Sequence, residues 1–234
     1  MRARQRHLNP KAAGAVLVLD SRYITQSDNT AVSTWSDRSG GGYDGTQSTG
    51  SKQPTFRTAV RGGNGIVRFD GNSDTLSSAL NPSTSLDTDL TYIVTVNRTA
   101  STSYPFLISM TGTAGKARVL IQDNPGSQKL FFDVNGTGIG STVVMTFNTW
   151  ITYSFTKSGS SISIFRDGAS DGSGTLTMTT PTATSIFIGA NSAGTGGYLG
   201  GDIGCFIALN SALADSLRKR IEKSAGYSFK MACS

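Results

Sequence analysis

Short apolar runs recur along the chain, each bounded by Gly, Asn, Asp or Pro. Apolar and polar residues alternate within Leu90–Val96 and Ser161–Phe165, as in strands buried on one face. Asn135-Gly136, Asp167-Gly168 and Asp171-Gly172 are predicted as turns. The predicted strands are Gly14–Leu19, Ile66–Phe69, Leu90–Val96, Phe106–Met110, Ala117–Gln122, Leu130–Val134, Thr142–Phe147, Trp150–Phe155, Ser161–Arg166, Ser185–Gly189 and Ile203–Leu209. Short strands at this spacing predict an all-β sandwich.

One amphipathic helix is predicted near the end of the sequence. Its apolar positions, four residues apart, are Leu213, Leu217, Ile221 and Ala225. Asp215 is the predicted N-cap and Gly226 the predicted C-cap signal. The helix is expected to pack on the sandwich with its charged face outward, which carries Arg218, Lys219, Glu222 and Lys223.

The amino-acid composition of the chain excludes most catalytic mechanisms. Charged residues make up 15% of the 234 residues, His7 is the only histidine, and Glu222 is the only glutamate. General acid/base pairs, Ser/His/Asp triads and His-based metal sites need residues that this chain barely has. We therefore expect a binding or structural role and no enzymatic activity.

The net charge of +6 belongs to the two ends of the sequence. Residues 1–11 carry a net charge of +4, residues 216–234 another +4, and residues 12–215 a net −2. We predict a basic arm at 1–11, which ties the chain to an acidic neighbour through Arg2, Arg4, Arg6 and Lys11, and a single domain over 12–234. Basic and aromatic residues do not interleave, which argues against sequence-specific nucleic-acid binding. No apolar run is long enough to insert in a membrane.

A stretch of acidic and amide side chains follows one predicted strand. Asp70, Asn72 and Asp74 place oxygen ligands at alternate positions, as at the start of a calcium loop. Thr75 stands where an EF-hand needs Gly, and Asn81 where it needs a bidentate Glu, so an EF-hand is excluded. The alternatives are a looser Ca²⁺ site and a plain turn.

Several motifs resemble, in order, those of concanavalin A-like, laminin-G-like domains of phage virion and bacterial surface proteins. They are Ala15–Asp20, Val32–Gly40, Gln53–Phe56, Ile66–Gly71, Trp150 with Arg166–Gly168, and Gly201–Ile203 with Leu213–Asp215. Ala214 departs from the serine that usually caps the last helix. The resemblance implies a jelly-roll β-sandwich with one C-terminal helix packed on it, and a rim loop that often binds calcium.

The resemblance also implies a function. We expect a non-catalytic virion surface protein (head decoration, head fibre or tail-associated) that is made in the host cytoplasm, assembles as an oligomer and binds host glycans. The main alternative is a purely structural decoration subunit without a sugar ligand. A less favoured one is a jelly-roll glycoside hydrolase that uses an Asp pair, either Asp70 with Asp74 or Asp167 with Asp171.

Glycan binding requires aromatic faces for stacking and amides for hydroxyls, on loops above a rigid sheet. Trp35 and Trp150 fall inside the structural motifs and are predicted to be core residues. The predicted ligand-binding residues are Tyr43, Tyr104, Asn191 and Tyr198.

Overall fold

The computed structural model describes residues 10–81, 89–100, 104–110, 117–124, 127–134, 137–176, 185–191 and 193–230. The strands are β1 Ala15–Asp20, β2 Thr30–Ala31, β3 Thr34–Trp35, β4 Gly45–Thr46, β5 Thr55–Arg61, β6 Asn64–Asp70, β7 Leu76–Ser78, β8 Leu90–Arg98, β9 Phe106–Met110, β10 Ala117–Asn124, β11 Ser127–Val134, β12 Thr137–Gly140, β13 Trp150–Ser158, β14 Ser161–Arg166, β15 Ala169–Thr175, β16 Ile186–Ile188 and β17 Gly200–Leu209. Helix α1 spans Asp215–Lys230, and short 3₁₀ segments lie at Pro10–Ala13, Ser21–Tyr23 and Gly50–Lys52.

The described strands form two antiparallel sheets. The nine-stranded sheet has the order β15-β14-β13-β8-β17-β6-β5-β2, and β1 pairs with β17 in line with β6. The eight-stranded sheet has the order β12-β11-β10-β9-β16-β7-β4-β3. The predicted β-sandwich is confirmed.

The main core lies between the two sheets. On β8, Tyr92, Val94 and Val96 point into it, as the alternation predicts. Phe132 of the eight-stranded sheet stacks on Phe155 of the nine-stranded sheet, with ring centroids 6.0 Å apart. Aromatic pairs of this kind join the sheets through dispersion and area burial.

A second apolar layer lies between the nine-stranded sheet and α1. Ile93, Cys205 and Ile207 face this layer from the sheet, and Ile221 and Ala225 face it from the helix. The central strands β8 and β17 are therefore buried on both faces along their whole length. The alternation in Leu90–Val96 predicts burial on one face only, which is wrong: Thr91 and Thr95 are buried too, and their hydroxyls are hydrogen-bonded to the Ser211 carbonyl and the Thr152 hydroxyl.

A buried polar cluster also holds α1 on the sheet. Arg218 pairs with Glu222 and Asp215, and its guanidinium lies 3.4 Å above the ring of Phe165. Ser154 of β13 donates a hydrogen bond to Glu222. The prediction that the charged face points outward is therefore wrong for Arg218 and Glu222, which are buried. It holds for Lys219 and Lys223, which are exposed.

Both predicted ends of the helix are wrong. The Ala214 carbonyl accepts the first helical hydrogen bonds, from Leu217 and Arg218, so Asp215 is the first helical residue and not the N-cap. The Asp215 carboxylate instead pairs with Arg218 and Lys219. The helix continues through Gly226 to Lys230, because a single Gly costs a helix only about 1 kcal/mol. No helix in the described ranges meets the length and apolarity needed to span a membrane.

Two local predictions fail around Asp171. The predicted strand Thr142–Phe147 consists of bends and turns, because Asp171 Oδ1 accepts hydrogen bonds from the Thr142 N–H and hydroxyl and draws this segment away from a ladder. The predicted turn at Asp171-Gly172 lies inside β15. A Cβ on Gly172 would come 2.6 Å from the Gly140 carbonyl oxygen, so the glycine permits close packing there. Asn135-Gly136 lies outside the described residues.

Replacing Arg218 with Ala should destabilise the protein strongly, because it leaves the Glu222 carboxylate buried without its cation. We expect the free energy of unfolding in urea to fall by about 3–5 kcal/mol. Arg220→Ala, on the exposed side of the same helix, is the control and should cost less than about 0.5 kcal/mol. Equal losses in the two variants would contradict the buried pair as the anchor of α1.

Candidate functional site

The two sheets differ in what covers their outer faces. Helix α1 packs against β8, β13 and β17 and so covers the central strands on the outer face of the nine-stranded sheet. On the eight-stranded sheet, Thr34 and Thr46 point outward and are exposed, and Ser77 and Phe187 are half-buried. The latter face is therefore the sheet surface on which a ligand can lie.

Hydroxyl side chains form a row across that face. Thr34 pairs with Thr46, Thr46 with Ser77, Ser77 with Phe187, and Phe187 with Ser109. A shallow depression lies over Thr34, Thr46 and Ser77, and we call it the hydroxyl groove. Its volume is about 360 Å³. It is lined by Ser33, Thr34, Thr46, Gln47, Ser48 and Ser77.

The hydroxyl groove contains no ionisable side chain. The hydroxyls of Thr46 and Ser77 each donate to the other residue's carbonyl over long distances of 3.3 and 3.4 Å. The Gln47 amide is fixed, because it donates to the Thr75 carbonyl and accepts from the Thr49 N–H. Weakly bonded hydroxyls beside a fixed amide can exchange their partners for those of a neutral, hydroxyl-bearing ligand.

Sequence reasoning missed the hydroxyl groove. The sequence does contain a sign of it, because an exposed residue stands next to a buried one in each strand: Thr34 precedes buried Trp35, and Thr46 follows buried Gly45. Strands of two residues are too short for the alternation to be recognised without their partners.

Two of the predicted ligand residues hold a loop in place. Asn191 Oδ1 accepts hydrogen bonds from the N–H groups of Ala193 and Thr195, at 3.1 and 3.0 Å. The Tyr198 hydroxyl donates to the Gly194 carbonyl at 3.2 Å. Asn191 and Tyr198 therefore act first as supports of the 193–198 loop, while the Asn191 Nδ2 is not used in these bonds.

The 193–198 loop packs on the aromatic part of the open face. A Cβ on Gly194 would lie 2.9 Å from the Phe187 ring, and one on Gly197 would lie 2.5 Å from the Phe106 ring. Both glycines have positive φ, of 62° and 58°, which L side chains adopt rarely. Phe187 pairs with Ser77, so the loop lies one strand beyond the hydroxyl groove on the same face of the sheet.

Tyr104 joins this loop, and Tyr43 does not. Tyr104 is 44% exposed, has an unusual φ of 47° for a bulky residue, and places its carbonyl beside Gly197. The Tyr43 carbonyl accepts a hydrogen bond from Ser78 Oγ, at the end of β7 that lies away from this loop. The Tyr43 ring packs on the main core. The structure thus brings together Tyr104, Asn191 and Tyr198, and separates Tyr43 from them.

The Asp70–Asp74 segment forms a turn in which the carboxylates accept backbone N–H groups. Asp70 Oδ1 accepts from Asn72, Ser73 and Asp74 at 2.9–3.0 Å, and Asp74 Oδ2 accepts from Asp70 at 2.9 Å. In the described part of the chain, no group of three or more His, Cys, Asp or Glu side chains is arranged to hold a metal ion. Calcium binding by Asp70, Asn72 and Asp74 stays a prediction.

The carboxylates of the hydrolase alternative also serve the fold. Asp167 Oδ1 accepts from the Thr152 N–H at 2.8 Å, and Asp171 Oδ1 accepts from Thr142. The Glu222 side chain is buried on the side of α1 that faces the sheet, and this burial raises its pKa. Each candidate acid therefore has a structural partner.

The remaining predicted residues take separate places. Trp35 and Trp150 are 1% and 5% exposed, which confirms them as core residues. Lys11 lies on the first 3₁₀ segment with its ammonium beside Gly40. Arg2, Arg4 and Arg6 lie outside the described residues.

Residues 70–216 match a laminin G family model described as the concanavalin A-like lectin/glucanases superfamily. The match covers more than half of the sequence. The chain belongs to this superfamily. The resemblance inferred from the sequence motifs is confirmed, and no curated protein matches the sequence.

Solved structures of low sequence identity share the fold of this superfamily member. Domain 4 of AbnA, an extracellular arabinanase from Geobacillus stearothermophilus solved with arabinotriose, has 13% identity and a TM-score of 0.66, over 91% of this chain and 98% of that one. The binding domain of Paraclostridial Mosquitocidal Protein 1 has 14% identity and a TM-score of 0.64, over 92% and 53%. Trypanosoma rangeli sialidase has 14% identity and a TM-score of 0.63, over 92% and 33%. This chain thus spans about half of the toxin domain and a third of the sialidase.

Asp74 should make stability depend on pH. Burial and the nearby charge of Asp70 raise the pKa of Asp74 to about 7, so the folded state holds a proton that the unfolded state has released. This stabilisation is complete below pH 4 and is lost as the pH rises to 7. Over that range we expect the free energy of unfolding to fall by roughly 1–2 kcal/mol more in the wild type than in Asp74→Asn. If the free energy of unfolding changed with pH in the same way in the wild type and in Asp74→Asn, Asp74 would not be protonated in the folded state.

Proposed function

We propose that this superfamily member is a non-catalytic saccharide-binding protein of a phage virion surface, in a head decoration, head fibre or tail-associated position. The hydroxyl groove binds the saccharide, and the 193–198 loop with Tyr104 lies one strand beyond it on the same face. The ligand is a glycan of the host surface. The chain is made in the host cytoplasm and joins an oligomeric assembly.

The in-register row of Thr34, Thr46 and Ser77 carries this proposal. These hydroxyls lie on the sheet face that α1 leaves uncovered, and no ionisable side chain lines the groove. Sugars present hydroxyls that both donate and accept, and a row of protein hydroxyls with a fixed amide matches that chemistry. Exposed Tyr104 supplies an aromatic surface at the margin.

Two structural relatives support a recognition role. Domain 4 of the arabinanase was solved with arabinotriose, and this chain spans 98% of it. The mosquitocidal protein domain is a binding domain by name. At 13–14% identity these relatives support the class of function and leave the ligand to experiment.

The positions of the acids support a role without catalysis. A glycosidase needs two carboxyl groups that face the sugar. Here the Glu222 side chain is buried between α1 and the nine-stranded sheet, and Asp70, Asp167 and Asp171 accept hydrogen bonds from the backbone. The hydroxyl groove itself has no carboxylate among its lining residues.

Binding should depend on the hydroxyl row. On a glycan array, the wild-type chain should bind at least one glycan, and the double variant Thr34→Val, Thr46→Val should bind it about tenfold more weakly, because two hydrogen-bonding groups are lost at nearly constant volume. Thr175→Val, at an exposed position of β15, is the matched control and should bind like the wild type. An array without any bound glycan would favour the purely structural decoration subunit.

The basic arm should be needed for assembly. Deletion of residues 1–11 removes a net charge of +4, and with it the attraction to an acidic virion partner. We expect the deleted chain to fold with an unchanged circular dichroism spectrum but to be lost from purified particles. Incorporation at the wild-type level would refute the arm as the assembly element.

A further inference from the structure

Four neighbouring strands at one end of the eight-stranded sheet are short. β3 and β4 have two residues each, and β7 and β16 have three. Each strand presents a single residue on the outer face, because the residues beside it in the strand are buried. These outward residues are paired in register, and we call them the outer row: Thr34, Thr46, Ser77 and Phe187.

The outer row ends at Phe187. On the far side of Phe187 the register continues to Ser109 of β9. Ser109 is fully buried, and its hydroxyl donates to the Ala190 carbonyl at 2.8 Å. Ser109 is therefore out of reach of a ligand, and the accessible row has four members.

The outer row runs across the strands, so it sets the direction in which a ligand can lie. Neighbouring strands are about 4.7–4.9 Å apart, which gives nearly equal steps of that size from one residue of the row to the next. An extended saccharide advances by a similar distance with each ring. A saccharide that crosses the strands can thus place one ring over each of the four residues.

Phe187 is the only aromatic residue of the outer row. It is half-buried, and the 193–198 loop packs against one side of its ring. A Cβ on Gly194 would lie 2.9, 3.3 and 3.7 Å from Cε1, Cδ1 and Cζ of that ring. Because these three atoms are consecutive, Cδ2 and Cε2 on the other side face away from Gly194. An aromatic ring that keeps exposed surface offers an apolar platform to the C–H groups of a sugar.

The outer row carries no charge. Its side chains are those of two threonines, a serine and a phenylalanine, and the lining of the hydroxyl groove adds only serine and glutamine. A carboxylate or sulfate that entered the row would lose water without gaining a cation, which costs free energy. The row therefore favours a neutral saccharide over an acidic one.

We propose that Phe187 is a stacking residue for an extended, neutral saccharide of at least four rings that crosses β3, β4, β7 and β16. This inference rests on the proposed function and adds to it the ligand class and a binding residue outside the hydroxyl groove. Three successive rings exchange hydrogen bonds with Thr34, Thr46 and Ser77, and the fourth ring lies on Phe187.

The length and charge of the glycan test the outer row in the wild-type protein. The longest unbranched glycan that the array retains is cut into fragments of two to six rings, and calorimetric titration gives the dissociation constant of each fragment. Affinity should rise with every ring up to four and should change less than twofold from four to six rings. On the array itself, neutral glycans should be retained in preference to counterparts of the same length that carry carboxylate or sulfate.

Substitutions of Phe187 test the stacking ring. Phe187→Leu removes the ring and keeps an apolar side chain beside the loop, so the gain from the fourth ring should disappear and the four-ring fragment should bind about tenfold more weakly. Phe187→Tyr keeps the ring and should bind like the wild type. Phe131→Leu is the matched control, because Phe131 is also half-buried between two core residues of its strand, on β11 and outside the row. It should bind like the wild type, and melting temperatures show that each variant is folded.

The outcomes separate this inference from the proposed function. A gain in affinity that ends at four rings and is lost in Phe187→Leu alone supports the stacking residue. The inference is overturned by a wild-type gain that stops at two or three rings, by a preference for acidic glycans, or by equal affinities of Phe187→Leu and Phe131→Leu for the four-ring fragment. Each of these results leaves saccharide binding by the hydroxyl groove intact. An array without any bound glycan overturns both proposals. The length series in the wild type and in Phe187→Tyr decides the case if Phe187→Leu does not fold.

Discussion

The structure depends on the burial of both faces of the nine-stranded sheet. Its central strands β8 and β17 are buried at every position, and α1 contributes to this by packing Ile221 and Ala225 on the outer face. The Arg218–Glu222 pair fixes the helix, since neither charge can be exposed to water without undocking α1. The same contact covers the central strands of this sheet, whereas no described helix covers the outer face of the other sheet, where we propose that the ligand binds.

The eight-stranded sheet is buried on one face only, and its outer residues are free to serve a ligand. Thr34, Thr46 and Ser77 lie side by side there and line the hydroxyl groove. One strand beyond them, the glycines of the 193–198 loop allow close contact with Phe106 and Phe187.

The sequence predicts the strands and the superfamily well, because the alternation of apolar residues depends on local geometry. It also predicts correctly that Trp35 is buried. It could not show how the polar groups are paired, since hydrogen-bond partners come from distant segments. The burial of Arg218 escapes prediction for the same reason: Arg218 meets the Phe165 ring, and Glu222 meets Ser154, only when the helix docks on the sheet. Asn191 and Tyr198 are predicted as ligand-binding residues because they lie in a segment rich in Gly, Ser and Thr, yet their hydrogen bonds support the loop itself.

A crystal structure of the wild-type chain with the best glycan from the array tests the central claim most directly. The account predicts a saccharide over Thr34, Thr46 and Ser77, with its hydroxyl groups hydrogen-bonded to theirs. A saccharide bound elsewhere on the molecule, with the open face of the eight-stranded sheet in contact with solvent alone, would contradict it.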